Sequence, residues 1–312
     1  MRNQNKMTEQ QDRYETYWIE YPKGNIIEHS CNPRTLNNIC VNDKPEAPFD
    51  VTPVYFSRDV LSKFYNAPHK YSVSDGEVYY KEDGLFLRVD TDMKDYVAVL
   101  LVDFAMLDYK EQQYWASFNV SPEGKTISKA AYNRWYEGIF EYPVAPDAIL
   151  VHRYSTFYTV WNEEIGWPLF LEDPKDTKSV LYSIHMLSDE QNEKEFYDQV
   201  LNVTKLFVDS LNVKHFPKLD GEDNKKSISR FVAYLDQYHL SITGVVDFMR
   251  NVQRLRSSRS AHSGKIDKKV YEYFEMDKRS YGFILNSICA TFVEVLNCLQ
   301  KVAYKIKERS IE

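Results

Sequence analysis

The chain has 312 residues, of which 27% are charged and 43% apolar, and its net charge is −7. That length admits one large domain and favours two, and the composition suits a globular protein with enough apolar material for a core. An acidic balance excludes non-specific coating of nucleic acid or membrane, which takes a net basic surface, but leaves room for a local anion site.

The N-terminal MRNQNKMTEQQDR has no apolar core, so it is not read as a signal peptide, and residues 1–13 read as a disordered polar tail. No window reaches the roughly 18 apolar residues of a membrane span. The longest apolar run, Val97 to Val102, has a strand's length. Four cysteines stand far apart without CxxC spacing, which points to reduced thiols in a cytoplasm. His29, Cys31 and Cys40 are too irregularly spaced to imply a metal site, and no metal or cofactor is expected.

Tyr14–Ile19 reads as a first strand and residues 22–52, with Pro22, Pro33, Pro45 and Pro48, as loop. Val54–Phe56 is apolar, and Arg58–Tyr65 reads as a short helix. Turn signals stand at Val73–Gly76 and Glu82–Gly84. Leu85–Asp90 alternates as a half-buried strand, and Tyr96–Phe104 reads as a strand buried on both faces that pairs with it. The segment from Tyr109 to Phe140 is rich in aromatics, including Trp115, Tyr132 and Trp135, with a helix over Ser128–Glu137. Such rings can stack bases of single-stranded nucleic acid, but core packing is the commoner use and the expectation here. Ala148–Trp161 reads as one more strand or helix, and no GxGxxG, GxxxxGK[ST] or HExxH occurs.

From residue 188 the period changes. Ser188-Asp189-Glu190 can cap a helix with Phe196, Val200, Val203, Phe207 and Leu211 on one face. The polar stretch 218–227 separates it from Ile228–Tyr238. A third helix begins at Ser241, with Ile242, Val245, Met249, Val252 and Leu255 in register, and a fourth covers Tyr281–Lys307. Four such stripes bury one another as a bundle. The chain therefore reads as α+β: a tail over 1–13, a mixed sheet-containing domain over 14–185 and a helical bundle over 186–312.

The third helix runs into the most basic stretch of the protein. Between Arg250 and Lys269 seven basic residues face one acid, Asp267; that local surplus of six leaves the rest of the chain at −13. Within it, Arg256-Ser-Ser-Arg-Ser-Ala-His262 places five residues between an arginine and a histidine. This resembles the Rx4-6H motif of the HEPN (higher eukaryotes and prokaryotes nucleotide-binding) superfamily, over roughly Ile228 to Lys307. The whole chain, through KYSVSDG, LDYKEQQYWASFNV and EFYDQVLNVTKLFVDSLN, is similar to bacterial proteins of unassigned activity with an LRSxxxAHxxG segment, which are candidates for phage defence.

The resemblance implies a metal-independent endoribonuclease acting as a homodimer through its C-terminal helices, without cofactor or membrane, on RNA. In it Arg256 and His262 would be catalytic, and Arg250, Arg254, Arg259 and Lys265 would bind substrate. Ser257 stands where active members often carry Asn, Asp or His, so a non-catalytic HEPN-like dimerisation or nucleic-acid-binding module is the alternative; a third is a structural or inhibitory subunit whose acidic N-terminal region masks the basic stripe. Six residues of helix separate Arg256 from His262 by about 240°, whereas Arg259 and His262 share a face. Either the helix ends before His262, as Gly264 allows, or Arg259 is its partner; the superfamily spacing favours Arg256. Asp236, His239 and Asp247 stand close enough in sequence for supporting contacts, though surface placement is the ordinary role of such residues.

Overall fold

The structure is a computed structural model. It describes residues 13–74, 76–140, 144–172, 177–187, 189–221, 226–260 and 267–311. The chain forms two compact units, which divide between residues 143 and 144.

The first unit opens with a hairpin, β1 (Thr16–Glu20) on β2 (Ile26–Ser30), in register from Thr16↔Ser30 to Glu20↔Ile26. β2 forms inside the stretch read as loop. Next in the chain is a five-stranded antiparallel sheet, built from β3 (Pro53–Ser57), β4 (Tyr71–Ser74), β5 (Glu77–Tyr80), β6 (Leu85–Asp90) and β7 (Tyr96–Leu100) in the order β3-β7-β6-β5-β4. The pairing of β6 with β7 is the one expected. β7 is shorter than its apolar run, because Leu101–Met106 winds into a 3-10 turn that buries Leu101, Asp103 and Phe104. An unbroken apolar run cannot by itself separate the two conformations.

One face of the sheet packs on α1 (Ser62–Tyr65) and α2 (Tyr109–Ala116). Trp115 is fully buried there, edge-on to Phe56 at 5.1 Å, and Tyr17 stacks on Phe104 at 4.5 Å. Of the aromatic segment Tyr109–Phe140, Trp115 is core as expected, whereas Tyr132 and Phe140 are exposed. The buried Gln112 ties the layers together: its amide donates to the carbonyls of Phe104 and Leu107, and its oxygen accepts from Glu15 N–H. Further on, Ser128 caps α3 (Lys129–Tyr132) by accepting from Ala131 N–H, and a π turn continues to Glu137.

The second unit is helical: α4 (Pro146–Ile165), α5 (Thr177–Leu181), α6 (Glu193–Thr204), α7 (Ser227–Asp236), α8 (Thr243–Ser260), α9 (Lys268–Tyr273) and α10 (Tyr281–Ile311). The division between the units lies some forty residues before the expected boundary near 185. The reason is α4, which buries Leu150, Tyr154, Phe157 and Trp161 in the helical core and runs beside α10, with Arg153 donating to Asn297 and Lys307 paired with Glu164. Gly166, in the left-handed region at φ +86°, ends that helix. The cap expected at Ser188 lies outside the described residues; Asn192 caps α6 instead, accepting from Glu195 N–H at 3.0 Å.

All five residues of the expected α6 face are buried, as are Ile284, Ile288, Phe292, Val295, Leu299, Val302 and Ile306 along α10. Phe292 stacks on Phe207 at 4.3 Å and meets Phe248 edge-on at 4.8 Å, joining α10 to α6 and α8. Among the described residues one helix, Tyr281–Arg309, is long and apolar enough to cross a membrane, where none was expected. Half of its apolar window is buried inside the unit, in the stripe that packs on the other helices.

Candidate nucleic-acid interface

α8 carries the basic segment. Met249, Val252 and Leu255 are fully buried and Phe248 nearly so, which fixes the rotation of the helix. That rotation sorts the arginines. Arg250 and Arg254, four residues apart, share a face; Arg254 is exposed, and Arg250 lies 4.0 Å from Asp247. Thr243, Asp247 and Arg250 line a cleft of about 150 Å³ with Leu235, Asp236 and Val246. His239 adopts a left-handed conformation, φ 52°, in the tight turn between α7 and α8.

Arg256 is set apart, because two helical steps turn it by about 200° from Arg254. It flanks the buried stripe and faces α6, where its Nη2 stands 3.2 Å from Asp209 Oδ2 with both side chains 35% exposed. Asp209 ends a π turn, Lys205–Asp209, closed by a bond from Ser210 N–H to the Lys205 carbonyl. Ser257 is exposed and donates to the Gln253 carbonyl at 3.0 Å, and Ser258 donates to the Arg254 carbonyl at 2.9 Å. Both hydroxyls thus bond one turn back along the helix.

Arg259 occupies the last turn of α8, its side chain falling outside the described part. His262 and Lys265 lie outside the described residues. Gly264 stands two residues after His262, one nearer than in the LRSxxxAHxxG pattern. The structure therefore brings Arg250 and Arg254 together and separates them from Arg256. It adds Asp209, which no local signal marks: it is 47 positions away in sequence, at the end of an apolar run.

Among the described residues no three of His, Cys, Asp and Glu gather as a metal site would require. Cys31 is buried, with its thiol pushed up to about 12 by desolvation, while Cys40 is exposed. The first unit has a polar cleft of about 200 Å³ lined by Tyr71, Tyr80, Glu82, Asp83, Asp108 and Glu111. Its deepest carboxylate is already engaged, since Glu111 accepts from Lys63 and from the Tyr80 hydroxyl. Comparisons with protein-family models, with curated proteins and with solved structures gave no match.

Proposed function

We propose that the helical unit is HEPN-like and that the chain is a metal-independent endoribonuclease. One observation carries the reading. The motif's arginine stands on the C-terminal turns of α8, anchored by Leu255 and partly open to solvent, six residues before the motif's histidine. A guanidinium so held can grip a phosphate and meet the charge that builds on it. The imidazole group, whose ordinary pKa is about 6.5 in unperturbed peptides, is the side chain suited to moving protons at neutral pH.

In this reading the RNA's 2′-hydroxyl attacks the adjacent phosphorus and the bond to the 5′-oxygen breaks. The leaving oxygen takes up a proton, and the products are a 2′,3′-cyclic phosphate and a 5′-hydroxyl. His262 moves the proton and Arg256 holds the phosphate, in a groove completed by a second copy of the chain. Arg250 and Arg254, on the far side of α8, bind flanking RNA together with Arg259 and Lys265. A cytoplasmic role in phage defence accords with such an activity.

Purified chain should cleave RNA in the presence of EDTA and leave cyclic phosphate ends. His262→Ala and Arg256→Ala should each lose about a hundredfold or more. Cleavage by wild type that both variants retain, or no cleavage by wild type, refutes the reading.

The alternative, a non-catalytic RNA-binding module, draws on Ser257, whose hydroxyl is spent on the Gln253 carbonyl where active members often carry a stronger polar group. It predicts salt-dependent RNA binding that weakens on loss of Arg254, with no product.

A further inference from the structure

We propose that Asp209 is a positioning residue for Arg256, an inference that rests on the endoribonuclease reading above. Arginine has many rotamers, and one that must meet a phosphate is useful only when its plane is held. Asp209 supplies a fixed anchor for it. The three residues before Asp209, Leu206, Phe207 and Val208, are buried, and Phe207 is stacked on Phe292 of α10. The acid's backbone therefore cannot drift.

The π turn matters because its wider spacing, five residues per hydrogen-bonded turn, changes the direction in which the residues within it point relative to an unbroken α-helix. Asp209 is the last residue of that turn and meets Arg256 of α8 from there. Wide turns of this kind are frequent at functional sites. A pair in which both partners are 35% exposed contributes little to stability, so its geometry rather than its energy is what the fold retains. The carboxylate engages Arg256 from the side of α6, at Nη2, and the phosphate takes the remaining donors of the fork.

The test is steady-state RNA cleavage by Asp209→Asn, Asp209→Glu, Arg256→Ala and His262→Ala, with Glu164→Gln as a control that removes an ion pair between α4 and α10. Loss of the anchor should lower kcat by roughly tenfold to a hundredfold. Loss of a negative charge beside the phosphate should at the same time lower KM. Asp209→Glu should recover most of kcat, and Glu164→Gln should behave as wild type. A fall in kcat at unchanged KM with a lowered melting temperature indicates a mere folding defect and overturns the proposal. Wild-type kinetics for Asp209→Asn beside inactive Arg256 and His262 variants overturns it alone, whereas absence of cleavage by wild type overturns the nuclease reading with it.

Discussion

Gly282→Ala should destabilise the helical unit and Gly244→Ala should stabilise it, although each glycine is the second residue of a long helix. Alanine gains up to about 1 kcal/mol over glycine through helix propensity and a less free unfolded chain. At Gly244 nothing lies within 4 Å of the added methyl, so about 0.5 kcal/mol of that gain should appear. At Gly282 the methyl carbon would stand 2.8 Å from Glu190 Cγ and 3.2 Å from Glu190 Cα. The side chain can swing, but the backbone cannot easily retreat: the Glu190 carbonyl accepts from Gly282 N–H at 3.0 Å, and its carboxylate accepts from Ser280 Oγ at 2.9 Å. Overpacking of this kind costs about 1–3 kcal/mol, more than a propensity gain of about 0.5 kcal/mol, and leaves a net loss of roughly 0.5–2.5 kcal/mol. Urea unfolding of the full chain followed by far-UV circular dichroism reads both changes. A Gly282→Ala protein as stable as wild type, or equal losses at the two positions, would refute the argument that the contact with Glu190 decides the sign.

Phe292→Ala should lose about 3–5 kcal/mol, because it empties the junction of α6, α8 and α10, whereas Tyr304→Ala on the exposed face of the same helix should change stability by under about 0.5 kcal/mol; comparable losses in thermal melts would contradict the assigned core. Brief alkylation of native protein should modify the exposed Cys40 and spare Cys31 and Cys289, whose burial holds the thiols protonated, until denaturant is added; mass spectrometry gives the order. Stability should fall as pH rises above about 10, because burial keeps Tyr17 and Tyr80 protonated in the folded chain while the unfolded chain releases those protons. Each such phenol adds a slope of about 1.4 kcal/mol per pH unit. Urea midpoints that do not move between about pH 8 and pH 11 would exclude that linkage, and Tyr17→Phe, which removes the hydroxyl that donates to the Gln112 carbonyl, should flatten it.

Local chemistry was legible wherever one segment carried its own signal. Leu85–Asp90 alternates and is β6; the stripe from Ile284 to Ile306 is the buried face of α10; and the helical turns expected from Ser128 begin at Lys129, with Ser128 as their cap. Signals failed where the outcome depends on a neighbour distant in sequence. β2 forms in a proline-rich stretch because β1 offers a partner in register. The apolar run after Leu100 leaves the sheet and buries Asp103, whose two oxygens accept from Arg88 Nε and Nη2. α4 joins the helical unit because its aromatic face matches α10.

The sequence by itself determined the α+β class, the periods of the main helices and the basic segment at the end of α8, because propensity, periodicity and charge are properties of contiguous residues. Only the tertiary structure decided where the units divide, which arginines share a face and which acid meets Arg256. Those outcomes depend on how buried stripes rotate each helix against its neighbours, and no stretch of chain encodes that rotation alone.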